Sequence, residues 1–151
     1  MSKEQLVDLL NQALPCAEKM LHKHRSFHPY GAVLDERLDV ELVGANLRGE
    51  IPQADELVEG LIRMLREHAH ERSCRATALV VDVRVQPPKG GDETDAVMVS
   101  LEHSDGTLVD VFLPYTLQAS GEVRYGEMFT TSGEGRVFDS GGDAGPGNFE
   151  S

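Results

Sequence analysis

Thr77-Ala78-Leu79-Val80-Val81-Asp82-Val83-Arg84-Val85-Gln86, followed by Pro87-Pro88-Lys89-Gly90-Gly91-Asp92, is the stretch on which the fold turns. Its first ten residues alternate, with Leu79, Val81, Val83 and Val85 on one side and Asp82 and Arg84 on the other. Successive strand side chains point to opposite faces, so this is the signature of a strand over a core. The prolines and glycines that follow break any regular element and make a loop. Asp95 to His103 then repeats the alternation, with Val97, Val99 and Leu101 inward, and Ser104-Asp105-Gly106 is a tight turn in which glycine supplies the positive φ. Thr107 to Leu113 returns with Val109, Val111 and Leu113 on one side, and Pro114 belongs at its end or at a sheet edge. A last strand is expected over about Glu122 to Thr131, carrying Val123, Tyr125 and Phe129.

Outward from this β block, the N-terminal side is helical and hairpin in turn. Lys3 to Arg25 places Leu6, Leu9, Leu10, Ala13, Ala17, Met20, Leu21 and His24 at three- and four-residue steps, one apolar stripe of a helix. Pro15 removes a backbone donor there, so a kink or two short helices meeting near Leu14 are expected. Ala32-Val33-Leu34 and Val40-Glu41-Leu42-Val43 read as a β-hairpin around the polar turn Asp35-Glu36-Arg37, and Gly44 to Ile51 as loop. Pro52, Asp55 and Glu56 mark the start of a second helix, about Gln53 to Arg72, with Leu57, Leu61, Met64, Leu65, His68 and Ala69 on one face.

The order α-β-β-α-β-β-β-β defines an α+β fold: an antiparallel sheet of about five to six strands with two helices packed on one face. Residues 1–131 form one domain of ordinary size. From Ser132 the chain is too rich in glycine and acid to bury much, so 132–151 is expected to be a flexible acidic tail. Val80 reads as pointing away from the inward valines, as do Ala96 and Met98. With Leu108 and Phe112 they would make a second apolar face that needs a cover.

Charge narrows the partners. The chain carries 26 acids against 14 Lys and Arg, a formal net charge of −12. Gly31 to Gly60 holds eight acids and two bases, whereas Leu61 to Gly90 holds six bases and three acids. Gly91 to Ser120 holds six acids and no base at all. Such a chain repels nucleic acid and anionic membrane surfaces. Cys16 and Cys74 match no metal or redox spacing and read as free thiols; with no signal-peptide pattern and no apolar run of membrane length, the expected compartment is the cytoplasm.

No residue pattern specifies catalysis. His22, His24 and His28 close the first helix, and His68 and His70 the second. However, ligands on one helix need a spacing of three or four, so neither a metal nor another cofactor is expected. Asp92, Glu93 and Asp95 lack the order of a calcium loop, and Thr130 to Arg136 lacks the lysine and the following helix of a phosphate cradle.

Phe27-His28-Pro29-Tyr30-Gly31-Ala32-Val33-Leu34-Asp35, followed by Val43-Gly44-Ala45-Asn46, resembles the opening of cytidine-deaminase-type domains. The resemblance would imply a zinc site built from H/C-x-E and a downstream P-C-x-x-C. The corresponding stretch here is Arg48-Gly49-Glu50-Ile51-Pro52, and no P-C-x-x-C exists, so the resemblance does not carry the activity with it.

Three functional expectations follow. The first is a non-enzymatic interaction module, of the regulatory or immunity type, for a basic protein partner. It would use Asp92, Glu93, Asp95, Asp105 and Asp110 with Met98, Leu108 and Phe112 as apolar contacts. The second is a small-ligand binder or enzyme with a pocket between sheet and helices, lined by His28, Tyr30, His103, Tyr115 and Tyr125. The third is self-association as a homodimer through the second sheet face.

Overall fold

The computed structural model describes residues 2–44, 54–71, 74–88, 90–133 and 137–138. In chain order the elements are α1 (Ser2–His24), β1 (Tyr30–Asp35), β2 (Val40–Val43), α2 (Ala54–Glu71), β3 (Cys74–Val85), β4 (Thr94–His103), β5 (Leu108–Leu117), β6 (Val123–Tyr125) and β7 (Phe129–Ser132). All strand pairings are antiparallel, in the order β2-β1-β3-β4-β5-β6, with β7 also paired to β5. The α+β class and the element order are those expected. The single last strand is instead two short ones, both paired to β5 and separated by Gly126 to Met128; Gly126 still donates its N–H to the Pro114 carbonyl of β5 (2.8 Å). The loop read over 44–51 (beyond Gly44), Pro52 at the helix start and most of the segment after Ser132 lie outside the described residues.

The helices do not share a face. Ala32, Ala76, Ala78, Val80, Val97 and Val99 form one core with Leu9, Ala13 and Leu21 of α1. Val33, Val43 and Leu79 form a second core with Leu57, Leu61 and Leu65 of α2. Consecutive residues of β1 and β3 thus serve opposite helices, and the sheet is the middle layer of three. Val80 lies on the α1 side. It pairs with Val99, and directly paired residues share a face. The inward set of β4 therefore meets Val80 rather than Leu79 and Val81, which corrects the sequence-based side assignment.

α1 is one helix through Pro15. The carbonyl deprived of its donor is that of Asn11, four residues earlier. Asn11 and Pro15 are both exposed, so water can satisfy that group while the buried stripe Leu9-Ala13-Ala17-Leu21 stays intact. The fully buried Tyr30 donates its hydroxyl to the Ala13 carbonyl (2.6 Å), tying β1 to the helix. On the other face α2 approaches closely. A Cβ on Gly31 would sit 3.2 Å from Leu65 Cδ2, and one on Gly44 (φ +77°) 2.5 Å from Leu61 Cδ2. Only glycine fits both the conformation and the contact at Gly44.

Candidate functional site: the open half of the α2 face

Among the described residues, α2 packs mainly on β1, β2 and β3. Beyond it, the register lines up side chains in rows across β3, β4, β5 and β7. Val81 pairs with Met98, Met98 with Phe112, and Phe112 with Phe129, an apolar row four strands wide. The Phe112 and Phe129 rings stack at 5.0 Å and 13°. The next row, Val83-Ala96-Pro114, is apolar too. Val81, Val83, Met98, Phe112 and Phe129 are all only half-buried, so among the described residues this part of the face is incompletely covered.

On the side toward the β4–β5 turn the rows become polar and closed. Leu79-Ser100-Asp110-Thr131 and Thr77-Glu102-Leu108 follow in register. Thr77, Ser100, Glu102 and Asp110 are all buried. Glu102 accepts backbone N–H groups from Val137 and Phe138, and Val137 completes the α2 core. Two residues of the expected acidic tail are therefore packed, and Ser132 ends β7. Among the described residues, Asp110 Oδ1 has no hydrogen-bond partner.

At the opposite end the open face runs into a cavity of about 400 Å³. Thr94, Pro114, Thr116, Arg124 and Phe129 line it from the sheet, Pro87 and Pro88 from the β3–β4 loop, and Gly126, Glu127 and Met128 from the β6–β7 connection. Tyr115 and Tyr125, paired across β5 and β6, complete its wall. Tyr115 donates to Asp82 Oδ1 (2.8 Å). Burial raises Tyr115 above the ordinary phenol range, and the Asp82 carboxylate adds to it. Burial likewise raises Asp82, opposed by that hydrogen bond, and burial raises Tyr125, helped by Glu18.

The interaction set read from sequence divides between positions. Met98, Leu108, Asp110 and Phe112 share the α2 face, but Asp110 is a buried residue there and not a rim carboxylate. Asp95 is on the α1 side, paired to Tyr115, and binds Arg84 (3.2 Å). Arg84 also meets Glu93 (3.6 Å), while Asp92 and Glu93 are exposed in the β3–β4 loop. Asp105 is exposed in the β4–β5 turn, where its carboxylate accepts the Thr107 N–H (2.9 Å).

Of the pocket set, only Tyr115 and Tyr125 meet. Tyr30 is core, and His28 is exposed. His103 is buried at the far end of β4, its Nε2 2.6 Å from Gln5 Oε1 and its Nδ1 accepting the Asp105 N–H. The Asp105 carboxylate also lies near that ring, its Oδ1 3.3 Å from Nδ1. The cavity that Tyr115 and Tyr125 line lies at the end of the open half-face. Pro87, Pro88, Pro114, Arg124 and Phe129 escaped the sequence reading. The only available signal was the cluster of breakers around two strand ends, which reads as loop. Cys16 and Cys74 are free thiols packed on opposite faces. The histidine pairs belong to helices on opposite sides of the sheet, and no group of three or more potential metal ligands occurs among the described residues. None of their helices is long and apolar enough to cross a membrane.

No family model, curated protein or solved structure matches the chain.

Proposed function

We propose that the protein is a cytoplasmic, non-enzymatic interaction module that binds a basic protein partner through the open half of the α2 face. The observation that carries this is the row Val81-Met98-Phe112-Phe129, half-exposed in the middle of the sheet. Stacked aromatics and a methionine supply adaptable apolar contact area, and such central anchors dominate interface energies. The partner's charge is argued from complementarity: β4 and β5 belong to the stretch of six acids and no base, in a chain of net charge −12.

The test is affinity capture from the native host, with the captured protein then purified and measured directly. Association slows as salt rises, and Phe112→Ala raises the dissociation rate at least about tenfold. Val7→Ala, at an exposed position of α1, leaves both rates unchanged. Salt-independent binding that survives Phe112→Ala would overturn the reading. The same row mates two copies of the chain if it is a homodimer surface, which sedimentation at rising concentration with and without Phe112→Ala separates from a foreign partner.

The cavity supports a second reading, a small apolar ligand. Its volume of about 400 Å³ lies in the range of small-molecule sites, and its walls are largely proline and aromatic. Chemical-shift changes confined to Pro114, Tyr125 and Phe129 on adding apolar fragments would favour this reading over a protein partner.

A further inference from the structure

Glu102 is 2% exposed on the α2 face near the β4–β5 turn, and its carboxylate serves a segment far away in sequence. Both its oxygens accept the Val137 N–H (2.9 and 3.0 Å), and Oε2 accepts the Phe138 N–H (3.1 Å). These are consecutive main-chain donors outside any helix or strand. Val137, 8% exposed, inserts beside Leu57, Leu61 and Leu65, and Phe138 packs half-buried against the same cluster. Upstream, Gly133 presses on β5 so closely that a Cβ there would lie 3.0 Å from Val109 N and 3.2 Å from Asp110 Oδ1. Gly133, just after β7, thus lies tightly on β5, and Val137 and Phe138 lie beside α2, where the Glu102 carboxylate of β4 holds their amides.

A buried carboxylate is costly unless hydrogen-bonded, and one set in an apolar trough has to be matched by donors. The Val137 and Phe138 donors are backbone groups, which any peptide possesses. The side-chain part of the contact is one valine and half a phenylalanine. Charge-assisted hydrogen bonds to main-chain donors beside one apolar side-chain position are the contacts by which peptide-docking sites work.

We propose that Glu102 and the α2–β4 trough form a peptide-docking site whose resident occupant is this chain's own Val137–Phe138, a displaceable strap. The competitor is an extended apolar peptide segment of a partner, presenting two consecutive N–H groups to Glu102 and one branched apolar side chain in place of Val137. Met98, Ser100 and Glu102 follow one another along one side of β4. Displacement of the strap therefore joins the trough to the open half-face and makes one continuous surface. The strap goes beyond the interface reading and can be tested with no partner: its failure leaves the Phe112 surface standing, and the reverse also holds.

The experiment is residue-resolved amide exchange on the full chain, followed by peptide binding. In the wild type the Val137 and Phe138 amides are protected. In Glu102→Gln their protection falls about tenfold to a hundredfold while the β3–β5 amides keep theirs, because the charge-assisted hydrogen bonds to the Val137 and Phe138 amides are weakened. Val137→Asp empties the trough, and an acetylated peptide matching residues 134–141 then binds this variant, shown by a rise in its fluorescence anisotropy. The same peptide does not bind the Glu102→Gln/Val137→Asp double variant. Three results would each overturn the proposal: wild-type Val137 and Phe138 amides exchanging as in unstructured chain, protection in Glu102→Gln falling equally across the sheet, or no peptide binding by a Val137→Asp chain whose β3–β5 amides remain protected.

Discussion

The two faces of one sheet, built from alternate residues of the same strands, have opposite fates. On the α1 side a 23-residue helix lies over β1, β3 and β4, and Val97, Val99, Leu101, Val111 and Leu113 are all buried beneath it or beside it. On the α2 side an 18-residue helix is drawn toward β1 and β2, where Gly31 and Gly44 let it approach closely. That shift leaves β4, β5 and β7 to a row of half-exposed apolar side chains and a band of buried polar ones. Burial drives stability in proportion to apolar area removed from water. The first face is thus the stabilising one, and the second keeps apolar surface available for binding.

The comparison breaks or holds on mutational cost. Leu9→Ala, at a fully buried position of α1, should destabilise by about 2–5 kcal/mol in denaturant unfolding, as core truncations do. Gly44→Ala should come next, at roughly 1–3 kcal/mol, since it strains a positive φ and pushes Leu61 off β1 and β2. Phe112→Ala should cost less, about 1–2 kcal/mol, because the ring is already partly in water and rests on Phe129 alone for its aromatic contact. If Phe112→Ala instead matched Leu9→Ala, the open half-face would be a covered core and the contrast would be wrong.

The smallest effect sharpens the comparison electrostatically. The folded state raises the Asp82 carboxyl, chiefly by burial, so folding favours its protonated form. A group raised in this way adds stability below its unfolded pKa, about 3.9, and loses that contribution as pH climbs through the folded value. Asp82→Asn should therefore match the wild type in strong acid and gain relative to it toward neutrality. The gain should be only a few tenths of a kcal/mol, roughly, because Asp82 keeps solvent contact. Paired unfolding curves at acid and neutral pH check it; a variant that loses stability toward neutrality would show that the Tyr115 hydrogen bond outweighs desolvation.

What the sequence determined by itself was local and periodic. The alternation of residues 77–86 and 95–103, the turn at Gly106 and the three- and four-residue stripes of both helices are short-range consequences of backbone geometry, and they set the α+β class and element order. Alternation says which residues share a face but not which face takes which helix. Val80 could be placed only once its pairing with Val99 existed, because register is a long-range choice between β3 and β4. The same limit hid the site. Phe112 and Met98 were legible as surplus apolar residues, whereas Phe129 joined them only through a separate β7. Pro87, Pro88 and Arg124 became a cavity wall only where loops converged. The strap is the sharpest case. Val137 sits in a stretch whose composition argues against packing, and what holds it is a carboxylate 35 residues earlier. Composition averages over neighbours in sequence, while a buried carboxylate selects its donors in space, so only the tertiary structure decided that contact.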